Sequence, residues 1–377
     1  MFQFLMGTRG PDKNESAQIG ADSKVQIDSP KKPYFKDKTF LVTGGTGFLG
    51  SHLIPLLLED GAKVRVLGRG SEPRDITRLG VEYVEGSILD QKILAKSVRG
   101  TAGIFHLAGC VIHSRYNPKT LYDTNVLGTM QVMEAAAKNK LRVVYASTSG
   151  VVGCQRRTTP WIVANDSSPY CKEIVKNWPY YKSKIEAEEQ ALAFAQKHGV
   201  ELICMRPSMM LGPGDVRLRS TLTVYLFLKR KIPFTPSGGV SFVDVRDVAR
   251  AFKTAMERGR PGQTYLLNAK SCSIDEWFRM LEYISNVKRP RLYLPDKLAI
   301  LSAYLLNQYN VKVKKQWNEA VGPVKAEMAT HYWNCSSELA QKELNFSPRN
   351  AMETLQDTIQ WIKDNEFLLP IPLHSKL

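Results

Sequence analysis

Tyr180 stands four residues before Lys184 in the run Tyr180-Tyr181-Lys182-Ser183-Lys184, a spacing that sets both side chains on one face of a helix, one turn apart. An ammonium beside a phenol favours the phenolate and draws its pKa down from about 10, so such a pair can take or give an alcohol proton while a hydride moves. The same spacing recurs at Tyr34/Lys38, Tyr225/Lys229 and Tyr293/Lys297. Only Tyr180 falls on an expected helix that follows a fifth strand, and Thr148 lies at the end of that strand, where its hydroxyl can bond a substrate oxygen. Tyr181 is excluded as the paired tyrosine because Ile185 stands four residues on.

Hydride transfer calls for a carrier, and the stretch Thr43-Gly44-Gly45-Thr46-Gly47-Phe48-Leu49-Gly50 offers a place for one. It follows an apolar run and opens a helical segment. Its glycines permit a tight turn and bring backbone N–H groups at the helix start up to a pyrophosphate, where the helix dipole favours negative charge. The spacing Gly44, Gly47, Gly50 is G-x-x-G-x-x-G, not the general G-x-G-x-x-G fingerprint. Thr46, Phe48 and Leu49 complete the expected contacts of this turn.

The second apolar run, Lys63 to Leu67, leads into Gly68-Arg69-Gly70. No Asp or Glu stands there to bond the ribose 2′-hydroxyl of NAD. Arg69 instead offers a planar, charged fork suited to a 2′-phosphate, with Arg74 to assist. NADP(H) is therefore favoured and NAD(H) is the alternative; a KM for NADPH no lower than that for NADH contradicts this choice. Ser87 and Ile88 after the third run, and Leu107, Ala108 and Gly109 after the fourth, occupy positions where loops at the carboxyl ends of strands face a ligand. His106, alone inside an apolar run, reads as structural.

The elements that position these residues follow from periodicity. Apolar runs at Thr39 to Thr43, Lys63 to Leu67, Val81 to Val84, Gly103 to Leu107, Arg142 to Ala146 and Glu201 to Met205 alternate with helical stretches, which implies βαβ units around a buried parallel sheet, an α/β doubly wound (Rossmann) fold. After Pro207 the alternation breaks down, and from about Ser273 helical stretches (Ile274 to Ile284, Lys297 to Leu306, Ala351 to Asp364) dominate. The expected organisation is an N-terminal arm over 1–35, a dinucleotide-binding domain over 36–270 with 206–242 contributing to the substrate site, a smaller, mainly helical C-terminal substrate region over 271–368, and an extended tail over 369–377.

Composition narrows the class. The chain has 377 residues, 43% hydrophobic and 23% charged, which is ordinary for a folded protein. Its net charge of +16 is spread among acids without a recognition motif, which argues against nucleic acid and for a basic surface that draws anionic cofactors or substrates or sits at a membrane face. The longest apolar runs, Thr221 to Leu228 and Leu298 to Leu306, are shorter than the roughly 20 residues of a membrane-spanning helix. Six cysteines without a C-x-x-C pair oppose a zinc site and a disulfide framework and fit a reducing compartment.

Taken in order, Gly44 to Gly50, Asn125-Val126-Leu127-Gly128-Thr129, Tyr145 to Gly153, Tyr180/Lys184, Arg206-Pro207 with Gly212-Pro213-Gly214, and Phe242-Val243-Asp244-Val245-Arg246-Asp247 resemble extended short-chain dehydrogenases/reductases, the NAD-dependent epimerase/dehydratase family, over roughly Thr39 to Asn268. The resemblance implies the doubly wound fold with a C-terminal substrate lobe and a catalytic set in which Thr148 takes the Ser/Thr position, beside Ser147. It also implies Asn125 near the nicotinamide side, and Pro207, Ser208 and Met209 near the nicotinamide. A homodimer through helices over Asn117 to Asn139 and Tyr180 to Lys197 is implied in the same way.

Many sugar-nucleotide enzymes of the family carry Asn in a run like Arg-x-x-Asn-x-x-Gly-Pro, where this chain has Met209. A thioether cannot bond as an amide does, and Met209-Met210 suggests an adaptable apolar wall. With Arg69 and the long stretch between Thr148 and Tyr180, the chain looks more like the 3β-hydroxysteroid dehydrogenase and dihydroflavonol reductase branch. The expected substrate is a small molecule, an alcohol or ketone on a bulky, sterol-like or polycyclic skeleton. The alternatives are a nucleotide-sugar epimerase/dehydratase and a catalytically silent NADP-binding regulator, the latter disfavoured by the presence of Thr148, Tyr180 and Lys184. Finally, Ser375-Lys376-Leu377 reads as an S-K-L address for a peroxisomal import receptor, so a peroxisome or glycosome is expected. Deleting these three residues should abolish organellar import.

Overall fold

Ten strands organise the computed structural model, which describes residues 33–70, 78–115, 118–156, 162–312, 316–317, 322–369 and 375–376. They are β1 (Thr39–Thr43), β2 (Lys63–Gly68), β3 (Glu82–Glu85), β4 (Gly103–His106), β5 (Arg142–Ala146), β6 (Leu202–Pro207), β7 (Met209–Leu211), β8 (Gly239–Asp244), β9 (Thr264–Leu267) and β10 (Lys270–Ser273). A two-residue pairing of Gln316–Trp317 with Ser375–Lys376 stands apart from them. The principal helices are α1 (Phe48–Glu59), α2 (Gly128–Asn139), α3 (Pro179–His198), α4 (Val245–Arg258), α5 (Ile274–Ser285), α6 (Asp296–Lys312), α7 (Pro323–Met328) and α8 (Ala351–Asp364).

The main sheet runs β3-β2-β1-β4-β5-β6-β9, parallel throughout. Its strands read as continuous apolar runs because helices cover both faces: Val143, Val144 and Tyr145 of β5 are fully buried. Val132, Met133 and Ala136 of α2 and Ala191 and Ala195 of α3 close one face, and α1 packs beside α4. The order reverses between β1 and β4, and there the carboxyl ends of the strands leave a crevice for a ligand.

Six of the seven sheet strands lie within a residue or two of their expected positions. The seventh, β9, was not legible: it is four residues long and pairs with β6 across nearly sixty residues of chain, a contact that local periodicity does not encode. The region after Pro207 also holds a second sheet, β10-β8-β7, with β7 and β8 parallel and β8 and β10 antiparallel. Its core draws Leu211, Phe227 and Phe242 together with Trp277, Phe278 and Leu281 of α5 and Leu355 and Ile359 of α8. The described residues from Phe35 onward belong to one compact unit. Of the expected arm, residues 1–32 lie outside the described residues, as do Asn117 and Leu377.

Two polar networks lock the parts together. Glu188 of α3 and Arg206 of β6 form a buried ion pair, with Arg206 Nε donating to Glu188 Oε1 at 3.0 Å and the Tyr170 hydroxyl donating to the same oxygen at 2.9 Å. The Asp244-x-x-Asp247 motif is likewise structural. Asp244 caps α4 by accepting from Arg246 N at 2.8 Å, and Asp247 accepts from the Arg349 backbone N–H at 2.8 Å, tying α4 to the segment before α8.

Candidate functional site

The glycine turn is built by close approach. Gly44 has φ +70°, and a Cβ there would stand 2.7 Å from Ala108 N, against the loop after β4. Gly50 sits so near the turn that a Cβ would reach 2.3 Å from Gly45 O. Gly47 stands at the N-cap of α1 and offers no side chain to cap it, so the N–H groups of the first turn, at Phe48 and Leu49, are left for a ligand. Gly44→Ala combines a left-handed backbone with a backbone clash; it should weaken dinucleotide binding at least tenfold and lower the melting temperature, both read by titration and thermal unfolding. Unchanged affinity would show that the turn is not the phosphate site.

At the carboxyl ends of β5 and β6, the Oγ atoms of Ser147 and Ser208 are buried without a hydrogen-bond partner among the described residues. Buried hydroxyls are normally satisfied, so an unsatisfied pair at the ends of two adjacent strands marks a place for a polar ligand. These hydroxyls and the uncapped helix start fit a dinucleotide lying across the strand ends.

The second part of the candidate site lies on α3, whose first turn begins at Pro179, a residue suited to a position needing no N–H donor. Burial pushes the Tyr180 phenol up to about 12, and the Thr148 hydroxyl beside it pulls it partly back; Thr148 Oγ1 also accepts from Gly150 N at 3.3 Å. Lys184 is 4% exposed, and its Nζ donates to Tyr145 Oη at 2.8 Å and to Ala146 O at 2.7 Å. Burial draws its pKa down to about 8, against the opposing charge of Glu188. His106 is a structural group, as its setting suggested: it bridges Thr43 Oγ1 at 2.8 Å and Thr129 Oγ1 at 3.0 Å, and burial lowers it to about 3.

The NAD dependent epimerase/dehydratase family model matches residues 40–267. The chain belongs to this family. A Synechocystis sp. protein named after dihydroflavonol 4-reductase is 30% identical over 340 residues, covering 87% of this chain and 96% of its own length. Sterol demethylase protein B of Methylococcus capsulatus is 26% identical over 332 residues, with 86% and 98% covered. The crystal structure of gox2253 superposes with a TM-score of 0.73 at 28% identity, covering 89% of this chain and all of that one. Membership makes the chain an NAD(P)-binding protein of a family of reductases, dehydrogenases and epimerases.

Within this family member, several expected site residues stand elsewhere or do other work. The lowering of Tyr180 by Lys184 is corrected: burial dominates the phenol, and the ammonium is engaged by Tyr145 and Ala146 on the sheet. Asn125 neither caps a helix nor stands free toward a ligand. It is 1% exposed on a π-helical turn, where its amide bonds Cys110 N and O at 2.8 and 3.0 Å and Ser183 Oγ at 2.9 Å. Since Ser183 Oγ donates to Tyr180 O at 2.7 Å, Asn125 ties the loop after β4 to the backbone of the tyrosine. The Ile88 side chain is buried in the core against Gly128, because the loop after β3 folds down onto α2. Ser87 Oγ accepts from Leu89 N at 3.2 Å. Met209 packs against the second hydrophobic core, and strand alternation directs Met210 to the opposite face, so the two methionines do not form one wall.

Arg69 is exposed at the end of β2, Thr46, Phe48, Leu107 and Ala108 are partly buried around the turn, Gly109 is exposed, and Pro207 ends β6 opposite Leu267. Arg74 lies outside the described residues. What sequence reasoning missed is an aromatic cluster beside Tyr180. The His113 ring meets Tyr180 edge-on at 5.2 Å, Tyr181 lies 4.9 Å from both Tyr180 and Trp333, and Trp178 stacks on Trp333 at 5.9 Å. Burial lowers His113 to about 3, so it is neutral here. No spacing signal links these residues, since Trp333 arrives from far along the chain. No group of His, Cys, Asp and Glu suited to a metal ion occurs among the described residues.

Proposed function

We propose that this family member is an NADP(H)-dependent oxidoreductase that interconverts a secondary alcohol and a ketone on a bulky apolar skeleton. The observation that carries this reading is Tyr180, with Thr148 beside it, edged by the partly buried rings of His113 and Trp333, while Tyr181 and Trp178 back them from the core. Aromatic faces favour a flat or polycyclic apolar body, and the neighbouring hydroxyls of Tyr180 and Thr148 suit its polar oxygen. The nicotinamide, when bound, supplies or accepts the hydride.

In the reductive direction, Thr148 donates a hydrogen bond to the substrate carbonyl and Tyr180 delivers the proton to the oxygen as negative charge develops there. Lys184, charged below about pH 8, holds α3 to the end of β5 through charge-assisted hydrogen bonds to Tyr145 Oη and Ala146 O and so positions Tyr180. Asn125 positions Tyr180 through Ser183. The exposed fork of Arg69 supports NADP(H) by its fit to a 2′-phosphate. A relative named for sterol chemistry supports the apolar skeleton.

Tryptophan-quenching titrations with NADPH and NADH, followed by turnover assays on sterol, flavonoid and UDP-sugar panels, test the reading. Expected are tighter NADPH binding, loss of that preference in Arg69→Ala, and cofactor consumption with an apolar ketone. Turnover of a UDP-sugar without net cofactor consumption would replace the reading with epimerisation. A further expected result is a reductive rate that falls as pH rises through about 8, because Lys184 loses its charge there. A kcat/KM profile flat to pH 10 would remove Lys184 from the mechanism.

A further inference from the structure

The helix α6 exposes an apolar stripe to solvent. Leu298, Leu301 and Leu305 are 53%, 50% and 58% exposed, and Tyr304, Leu306 and Tyr309 are 45–50% exposed. Positions 298, 301, 305 and 309 follow i, i+3, i+7 and i+11, one face of a helix. The opposite face is the one that packs inward, with Ala299 and Asn307 at 3% and 2% exposure. A contiguous patch of this kind marks an interaction surface.

Charge indicates what covers it. Residues 286–315 hold seven basic residues, Lys288, Arg289, Arg291, Lys297, Lys312, Lys314 and Lys315, against one acid, Asp296. Arg289 is spent on Asp275 and Glu282, and Arg291 on Glu282. Lys288 and Lys297 are exposed. An apolar helical face bracketed by basic groups matches a surface that is apolar inside and negative at its rim. A second copy of the chain fits less well, because a two-fold contact would set the same basic stretch against itself. No helix among the described residues is long and apolar enough to cross a membrane.

We infer that α6 lies flat on a bilayer containing anionic lipid, its leucines in the acyl boundary and Lys288 and Lys297 among the headgroups. The contact leads toward the site. α6 packs on α7, and Glu327 of α7 accepts from Trp178 Nε1 at 2.9 Å and from Arg115 Nη2 at 2.6 Å. Trp178 belongs to the aromatic cluster beside Tyr180, so the lipid-facing helix stands one element removed from the site proposed to take the apolar substrate. That last step rests on the proposed oxidoreductase reading; the docking itself does not.

Vesicle flotation of the full chain tests it, with phosphatidylcholine alone and with added phosphatidylserine. Expected is at least a tenfold preference for the anionic vesicles, weakened by high salt. Leu301→Glu with Leu305→Glu should lower that binding at least tenfold while NADPH affinity and melting temperature stay unchanged. Because both side chains are half exposed, the fold should tolerate the change; Lys288→Glu with Lys297→Glu gives a second variant that should lose the anionic preference. Tyr180→Phe should float like the unaltered protein, so loss of turnover and loss of docking are separable. Flotation of the double Glu variant at the original level would overturn the inference. So would absence of vesicle binding, whether light scattering shows a monomer or a dimer that the double Glu variant dissolves.

Discussion

Tyr180→Phe should lower kcat by a factor on the order of 10² to 10⁴, the range for removing a positioned acid-base group, with NADPH affinity nearly unchanged. The substitution removes one hydroxyl and leaves the ring. The packing of that ring against Tyr181 at 4.9 Å and His113 at 5.2 Å therefore persists, and thermal stability should hold. What is lost is the proton donor, the hydroxyl that stands beside Thr148. A phenol held near 12 is a poor base but a competent acid toward a developing alkoxide, so reduction should suffer at neutral pH and stay depressed across the pH range. Single-turnover measurements with saturating NADPH isolate the step. A variant that kept more than about a tenth of the activity would move the proton transfer to another group and leave Tyr180 as packing alone.

The second large effect is on stability. Glu188→Ala should destabilise the fold by roughly 3–5 kcal/mol, the cost of leaving a buried charge without its partner. Arg206 is 4% exposed by side chain and Glu188 fully buried, so water cannot replace the lost carboxylate. Tyr170 loses its acceptor in the same variant. Replacing both charges together, Glu188→Met with Arg206→Met, should cost less than either single loss, since no ion then remains buried and apolar side chains of similar size fill the space. Denaturant unfolding of the single and double variants gives the comparison. If Glu188→Ala cost under about 1 kcal/mol, the pair would be solvated in solution and would not hold α3 to β6.

These two results probe different links of the same chain of causes. α3 carries both Tyr180 on its first turn and the buried glutamate two turns further on, while β6 carries Arg206 and leads into Ser208. The ion pair therefore fixes the helix against the sheet at a distance from the chemistry. A partial loosening would be felt as a misplaced hydroxyl pair, and kcat should fall with stability in conservative variants such as Arg206→Lys, where the charge survives and the fork geometry does not.

The sequence by itself determined the doubly wound sheet and the glycine turn, and it set Tyr180 and Lys184 one turn apart on a single helix. Each of these rests on short-range rules: apolar runs a few residues long, glycines at a turn, two residues one helical turn apart. His106 was legible as structural for the same reason, being a lone polar group in an apolar strand. The tertiary structure alone decided where Lys184 points, because Tyr145 and Ala146 compete for its ammonium from the neighbouring strand. It alone decided that the Ile88 side chain and Met209 belong to two hydrophobic cores, that Asn125 is consumed by Cys110 and Ser183, and that β9 joins the sheet. It also gathered His113, Trp178, Tyr181 and Trp333 around the tyrosine from separate parts of the chain. The physical reason is common to all of them. A side chain's partner is settled by burial and by which polar groups are left unsatisfied once distant elements pack, and neither quantity is carried by the spacing of residues along the chain.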